Sequence, residues 1–219
     1  MNKLIKLYCA ICHHCQDSRI AEKMQHGSNN KSAQFTDVEL MTAYLWGAQQ
    51  GLLTRKSVYN FIKTYHLGDF PKLPGYQAFC RRLNRLAEAF AALAEVLFEQ
   101  KLAGVEPTHG YVLDCAPVTD GRLYADHAYI DAEWRAHLQS ERSITPITPR
   151  KRKKYDTLVS EDAASTHVSG IRQPIEVFFN WLQAKTHIQS ASHVRSCAGL
   201  LFHIFSALAF AALILRFNY

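Results

Sequence analysis

At 219 residues the chain has room for one large domain or two small ones. Its hydrophobic content of 48% is enough to build a core, and with charged residues at 20% it is not a disordered tail. A formal charge of +6 and a pI of about 9.0 favour an acidic partner such as nucleic acid. Lys3 and Lys6 lead only into a short apolar stretch broken by His13 and His14, which is not a secretory pattern. A reducing cytoplasm is therefore expected, with the six cysteines as free thiols.

Residues 1–16 read as a helix. It carries Cys9-x-x-Cys12-His13-His14-Cys15, whose ligand types suit zinc. A structural zinc site draws on two separated pairs, and no second pair follows closely; cysteines three apart also share a helical face with Ile5 and Tyr8. Both readings stay open. Residues 17–35 are polar and read as a loop. Thr36-Asp37-Val38-Glu39 is a capping box, and the helix it starts has Val38, Leu40, Met41, Tyr44, Leu45 and Ala48 as apolar positions, with Gly51 as its stop. A second helix is expected over 56–66, turning Val58, Phe61, Ile62 and Tyr65 inward and ending at Gly68. After a turn at Pro71 and Pro74-Gly75, one long helix is expected over 76–102, burying Phe79, Leu83, Leu86, Phe90, Leu93 and Leu97. Residues 105–110 make a domain boundary.

Basic side chains cluster around these helices. Arg81, Arg82 and Arg85 open the long helix, and Arg55, Lys56, Lys63 and Lys72 precede it. Three helices of which the last is basic suit a helix-turn-helix DNA reader. Further on, Arg150, Lys151, Arg152, Lys153 and Lys154 form an unbroken basic run after Pro146 and Pro149, read as an exposed loop able to lie along phosphates.

Strands are expected near 111–118, 122–126 and 143–147, and helices near 130–140, 171–187 and 196–216. Asp120-Gly121 is a two-residue hairpin signal; a turn centred there pairs residue i with residue 241 − i. A three-residue turn would instead set Asp114 opposite Asp126. The helix over 171–187 has an apolar face of Ile175, Phe178, Phe179 and Leu182, with Glu176 beside it and Arg172 one turn earlier. The run Cys197–Leu215 is nearly uncharged and about as long as a membrane span. It carries His203 and Ser206 and is flanked by Arg216 at one end only, so a packed helix and no membrane partner is the expectation.

The segment Ile171-Arg172-Gln173-Pro174-Ile175-Glu176-Val177-Phe178-Phe179-Asn180-Trp181-Leu182 resembles the third acidic motif of bacterial insertion-sequence DDE transposases, in which a glutamate follows an arginine by four positions and precedes an aromatic-rich helix. Tyr111-Val112-Leu113-Asp114-Cys115-Ala116-Pro117-Val118 is similar to the first motif, and Leu123-Tyr124-Ala125-Asp126-His127-Ala128-Tyr129-Ile130-Asp131 to the second. Residues 36–103 resemble the helical N-terminal region of the same proteins, which also end in an apolar helix packed on the catalytic core. The resemblance implies that Asp114, Asp126 and Glu176 are catalytic ligands of two Mg²⁺ or Mn²⁺ ions, flanked by His127 and Arg172, and that the ions drive in-line attack at a phosphodiester.

The spacing departs from that pattern. Asp114 and Asp126 are 12 positions apart, whereas the family carries two further strands and a helix between them, so that both aspartates lie on adjacent parallel strands. Parallel neighbours need a crossover of a dozen or more residues; about four residues are left here. The chain thus resembles a transposase with an internal deletion. The expectation is an α+β fold: a helical, helix-turn-helix-like DNA-binding domain over 1–104 and a truncated RNase H-like domain over 110–219. The expected function is DNA transposition by metal-dependent strand cleavage and transfer, defective in this copy. The alternative is a non-catalytic DNA-binding remnant that holds insertion-element ends. With so small a sheet, self-association into a homo-oligomer is also expected.

Overall fold

Short-range rules set most of the helix ends. In the computed structural model, which describes residues 2–24, 34–103, 110–113, 116–119, 121–124, 132–147 and 163–217, α1 (Lys3–His14) starts where the Asn2 side chain accepts the Leu4 N–H. It buries Leu4, Leu7, Ile11 and His14 along one stripe. A short α2 (Ser18–Ala21), capped by Asp17, interrupts the segment expected to be loop. α3 (Asp37–Gln49) opens with the expected capping box: the Glu39 N–H donates to the Thr36 hydroxyl, and the Glu39 carboxylate accepts from the Thr36 N–H. Beyond its end Gly51 takes φ +78°, a left-handed conformation that glycine adopts without penalty. α4 (Arg55–Tyr65) is capped by the Thr54 hydroxyl and buries Val58 and Ile62. Tyr65 does not turn inward as expected: it is 73% exposed, because it closes the helix past the edge of the core and keeps only its ring contact with Phe61.

The single helix expected over 76–102 is two, α5 (Tyr76–Arg85) and α6 (Ala87–Leu102), broken at Leu86. A straight helix over that length would run about 40 Å. The break lets both halves bury their stripes, Phe79 and Leu83 on one, Phe90, Leu93 and Leu97 on the other.

The chain divides into two compact units, one of Met1–Ala103 with Leu182–Tyr219, the other Gly104–Trp181. The first division falls at residues 103–104, beside the boundary expected over 105–110, and α9 (Cys197–Phe217), expected in the 110–219 domain, clusters with the N-terminal unit. α9 packs mainly along α6. Phe202 sits between Tyr44 of α3 and Phe90 of α6, with ring centroids 4.9 and 5.5 Å away. α9 is long and apolar enough to cross a membrane by composition, yet Phe202, Ala209, Phe210, Ala212 and Leu213 are part of this unit's core. The reason is area: helices α1, α3, α5 and α6 present more apolar surface than they can bury among themselves, and a featureless apolar helix covers it.

In the second unit β1 (Gly110–Leu113), β2 (Ala116–Thr119), β3 (Arg122–Tyr124) and β4 (Thr145–Ile147) form one sheet in that order. The strand expected over 111–118 is folded into the antiparallel pair β1–β2, in which Leu113 faces Ala116. β2 and β3 pair antiparallel in the expected register, Val118 with Leu123 and Thr119 with Arg122, and Gly121 takes the positive φ of +71° that the turn demands. β3 and β4 are parallel, joined through α7 (Ala132–Arg142), which satisfies the crossover rule. α7 is tied to β4 by the Arg135 guanidinium donating to the Pro146 carbonyl at 3.2 Å. α8 (Ala163–Thr186) begins eight positions before its expected start. The described residues are mostly helical with one small mixed sheet, which fits α+β as a class.

Candidate nucleic-acid interface

Residues 50–87 carry seven lysines and arginines (Arg55, Lys56, Lys63, Lys72, Arg81, Arg82, Arg85) against one carboxylate, Asp69. The chain's totals are 25 basic and 19 acidic residues, so the remainder holds 18 of each in sum and this segment by itself carries +6. The segment is α4, α5 and their connection.

Two of the seven are used inside the fold. The Arg55 guanidinium lies 4.5 Å over the Phe202 ring and donates to the Gly199 carbonyl at 3.3 Å. It thereby fastens the start of α4 to α9. Arg82 donates to the Asp37 carboxylate at 2.6 Å and lies 5.7 Å from the Phe35 ring; both side chains of this ion pair are mostly buried. Asp37 in turn sits in the first turn of α3, where a carboxylate is favoured by the helix dipole. Arg55 and Arg82, expected as DNA contacts, are thus fold contacts. Guanidinium groups stack and hydrogen-bond at the same time, which suits them to such half-buried posts.

Lys56, Lys63, Lys72, Arg81 and Arg85 are exposed. On α4, Lys56, Asn60 and Lys63 lie at i, i+4 and i+7, opposite the buried Val58 and Ile62. On α5, Gln77, Arg81 and Arg85 make a parallel exposed stripe opposite Phe79 and Leu83. Neither helix carries an acid. Asn60 was missed by counting charges; the helical spacing from Lys56 was the available signal. α3 and α4 meet closely at Gly47, where an added Cβ would lie 2.7 and 2.8 Å from the two Val58 methyls.

At the far end of α4, the Trp46 indole N–H donates to His66 Nε2 at 3.0 Å, and His66 Nδ1 meets the Asp69 carboxylate at 2.8 Å. Indole can only donate, so Nε2 accepts and the proton sits on Nδ1, facing Asp69. This network anchors α4 to α3 at the end opposite Arg55.

Of the expected catalytic positions, Glu176 alone lies among the described residues. Asp114 and Asp126 lie outside the described residues, as do Arg150, Lys151, Arg152, Lys153 and Lys154. The observed β2–β3 register is that of the two-residue turn, Val118 with Leu123 and Thr119 with Arg122. Glu176 is exposed on α8, and the backbone of Arg172 lies one turn before it. The apolar face expected on this helix is largely open: Leu182 is buried, but Phe178 and Phe179 are 38% and 41% exposed. Three carboxylates are a suitable oxygen donor set for Mg²⁺ or Mn²⁺. β2 and β3 are antiparallel neighbours, whereas the resemblance implied parallel ones. Among the described residues no three His, Cys, Asp or Glu side chains converge on a metal position. Cys9 is exposed while Cys12 and Cys15 are half-buried along α1, and burial pushes the Cys15 thiol up to about 12.

No family model, curated protein or solved structure matches the chain.

Proposed function

We propose that this chain derives from insertion-sequence DDE transposases and acts as a DNA-binding remnant, holding DNA through its helical unit without cutting it. The observation that carries the reading is the net charge of +6 within residues 50–87, with five of its seven cations exposed on or between two acid-free helices. Cations so placed release counterions from a phosphate backbone, which gives affinity at any sequence. The loss of cleavage is supported by the antiparallel β2–β3 hairpin, which replaces the parallel neighbours that metal-dependent strand transfer uses in the family.

The test pairs two assays on the full chain. Duplex DNA binding followed by fluorescence anisotropy across a salt series should show an affinity that falls steeply with salt. Incubation of supercoiled DNA with Mg²⁺ or Mn²⁺ should leave it intact. Absence of binding at low salt would remove the DNA reading. Cleavage abolished by Glu176→Gln and by Asp126→Asn would mean that a working carboxylate site survives the short connection.

A further inference from the structure

The exposed stripe of α4 centres on an amide side chain. It holds Asn60 flanked by two lysines, and an asparagine amide can donate and accept in one plane, the pattern that reads adenine in the major groove. From Lys56 to Lys63 the helix rises about 10 Å, the height of about three stacked base pairs. α4 is joined to α3 by Gln50–Thr54, a tight connection turned by Gly51, and α3 packs behind it where Gly47 allows close approach to Val58. α4 packs principally against α3 and α5, whereas α5 also packs against α6 and α9. Both ends of α4 are fastened, by Arg55 to α9 and by His66 to Trp46, so its outer face is presented rigidly. The exposed stripe of α5, Gln77 with Arg81 and Arg85, also carries groups able to contact bases, but α5 is held by α6 and α9 as well as by α3 and α4, which leaves α4 as the more outlying helix.

We infer that α4 is the helix that enters the major groove of double-stranded DNA, with Asn60 reading a base and Lys56 and Lys63 flanking it, while Arg81 and Arg85 contact phosphates. The inference rests on the DNA-binding reading above and assigns specificity within it. B-form DNA has a major groove wide enough for a helix, whereas duplex RNA does not admit side chains there; DNA is therefore the partner.

The experiment selects sequences from a randomised duplex DNA library with the full-length protein, then measures selected and scrambled duplexes with variants. Asn60→Ala should cut the preference for selected over scrambled DNA by roughly tenfold. Arg81→Gln with Arg85→Gln should weaken both duplexes alike and reduce the salt slope by about two. All three positions are exposed, and circular dichroism checks that each variant keeps its helices. Binding without any selected sequence, an unchanged preference in Asn60→Ala, a preference lost instead in the α5 variant, or a duplex RNA bound more tightly than DNA would each overturn the assignment of α4 while leaving nucleic-acid binding itself standing. No binding to any duplex would overturn both.

Discussion

Replacing Phe202 with alanine tests whether α9 is a core helix of the N-terminal unit. Phe202 is 1% exposed, and its ring packs edge-on against Tyr44 and Phe90 while the Arg55 guanidinium covers one face. Truncating a buried phenylalanine costs about 3–5 kcal/mol, combining lost transfer energy with the cavity left behind. Phe202→Ala also strips the guanidinium of its ring, which adds on the order of 1 kcal/mol. The neighbouring Leu201 is 41% exposed, so Leu201→Ala should cost about 1 kcal/mol or less. Urea denaturation of the purified chain carrying Trp134→Phe and Trp181→Phe, so that fluorescence reports Trp46 in the same unit, and followed also by circular dichroism, should separate the two variants by at least about 2 kcal/mol. Equal and small effects would refute the packing of α9 into this core. So would a parent protein that stays in the membrane fraction until detergent is added, because a helix in lipid has no reason to distinguish Phe202 from Leu201. A chain ending at residue 103 should not fold, since it lacks this helix.

Three further outcomes follow from the geometry. Gly47→Ala gains about 1 kcal/mol of helix propensity but drives a methyl into the stiff, fully buried Val58; overpacking of about 1–3 kcal/mol should dominate, and a higher melting temperature would refute the close α3–α4 approach. Arg82→Gln should lower stability by about 1–2 kcal/mol in thermal unfolding, since it leaves the mostly buried Asp37 carboxylate without its cation, yet change DNA affinity far less than Arg81→Gln; the reverse ranking would place Arg82 on DNA. Burial, with Arg216 and His13 nearby, holds His14 below its usual value of 6.5, so the folded state resists protonation there. Its contribution is complete above 6.5 and is lost as pH falls from 6.5 through the lowered folded value, where the unfolded chain binds the proton first. Urea midpoints should therefore decline over that range and decline less in His14→Leu; equal slopes would refute the burial.

Helix ends and turns were legible in the chain because their causes lie within a few residues. The Thr36 capping box, the Gly51 stop and the Asp120-Gly121 hairpin depend only on side-chain oxygens and on backbone conformations reachable within one turn. The apolar stripes from Phe79 to Leu97 were likewise readable from helical spacing. The break at Leu86 was not, because its cause is the size of the core and not the local residues.

The candidate interface was half legible. Charge and helical spacing singled out α4 and α5, but nothing local distinguished Arg55 and Arg82 from Arg81 and Arg85. An exposed cation and one stacked on Phe202 or paired with Asp37 have the same neighbours in the chain; the partners are 147 and 45 positions away. The same holds for α9, whose apolar composition suits a membrane, a sheet cover or a helical core equally. By itself the sequence determined where most helices start and stop, which faces are apolar, and that Asp114 and Asp126 are too close in the chain to lie on adjacent parallel strands. Only the tertiary structure decided that α9 closes the N-terminal core, that Arg55 and Arg82 make contacts within the fold, and that Lys56, Asn60, Lys63, Gln77, Arg81 and Arg85 are exposed, because each of these is a matter of long-range burial, which local spacing does not encode.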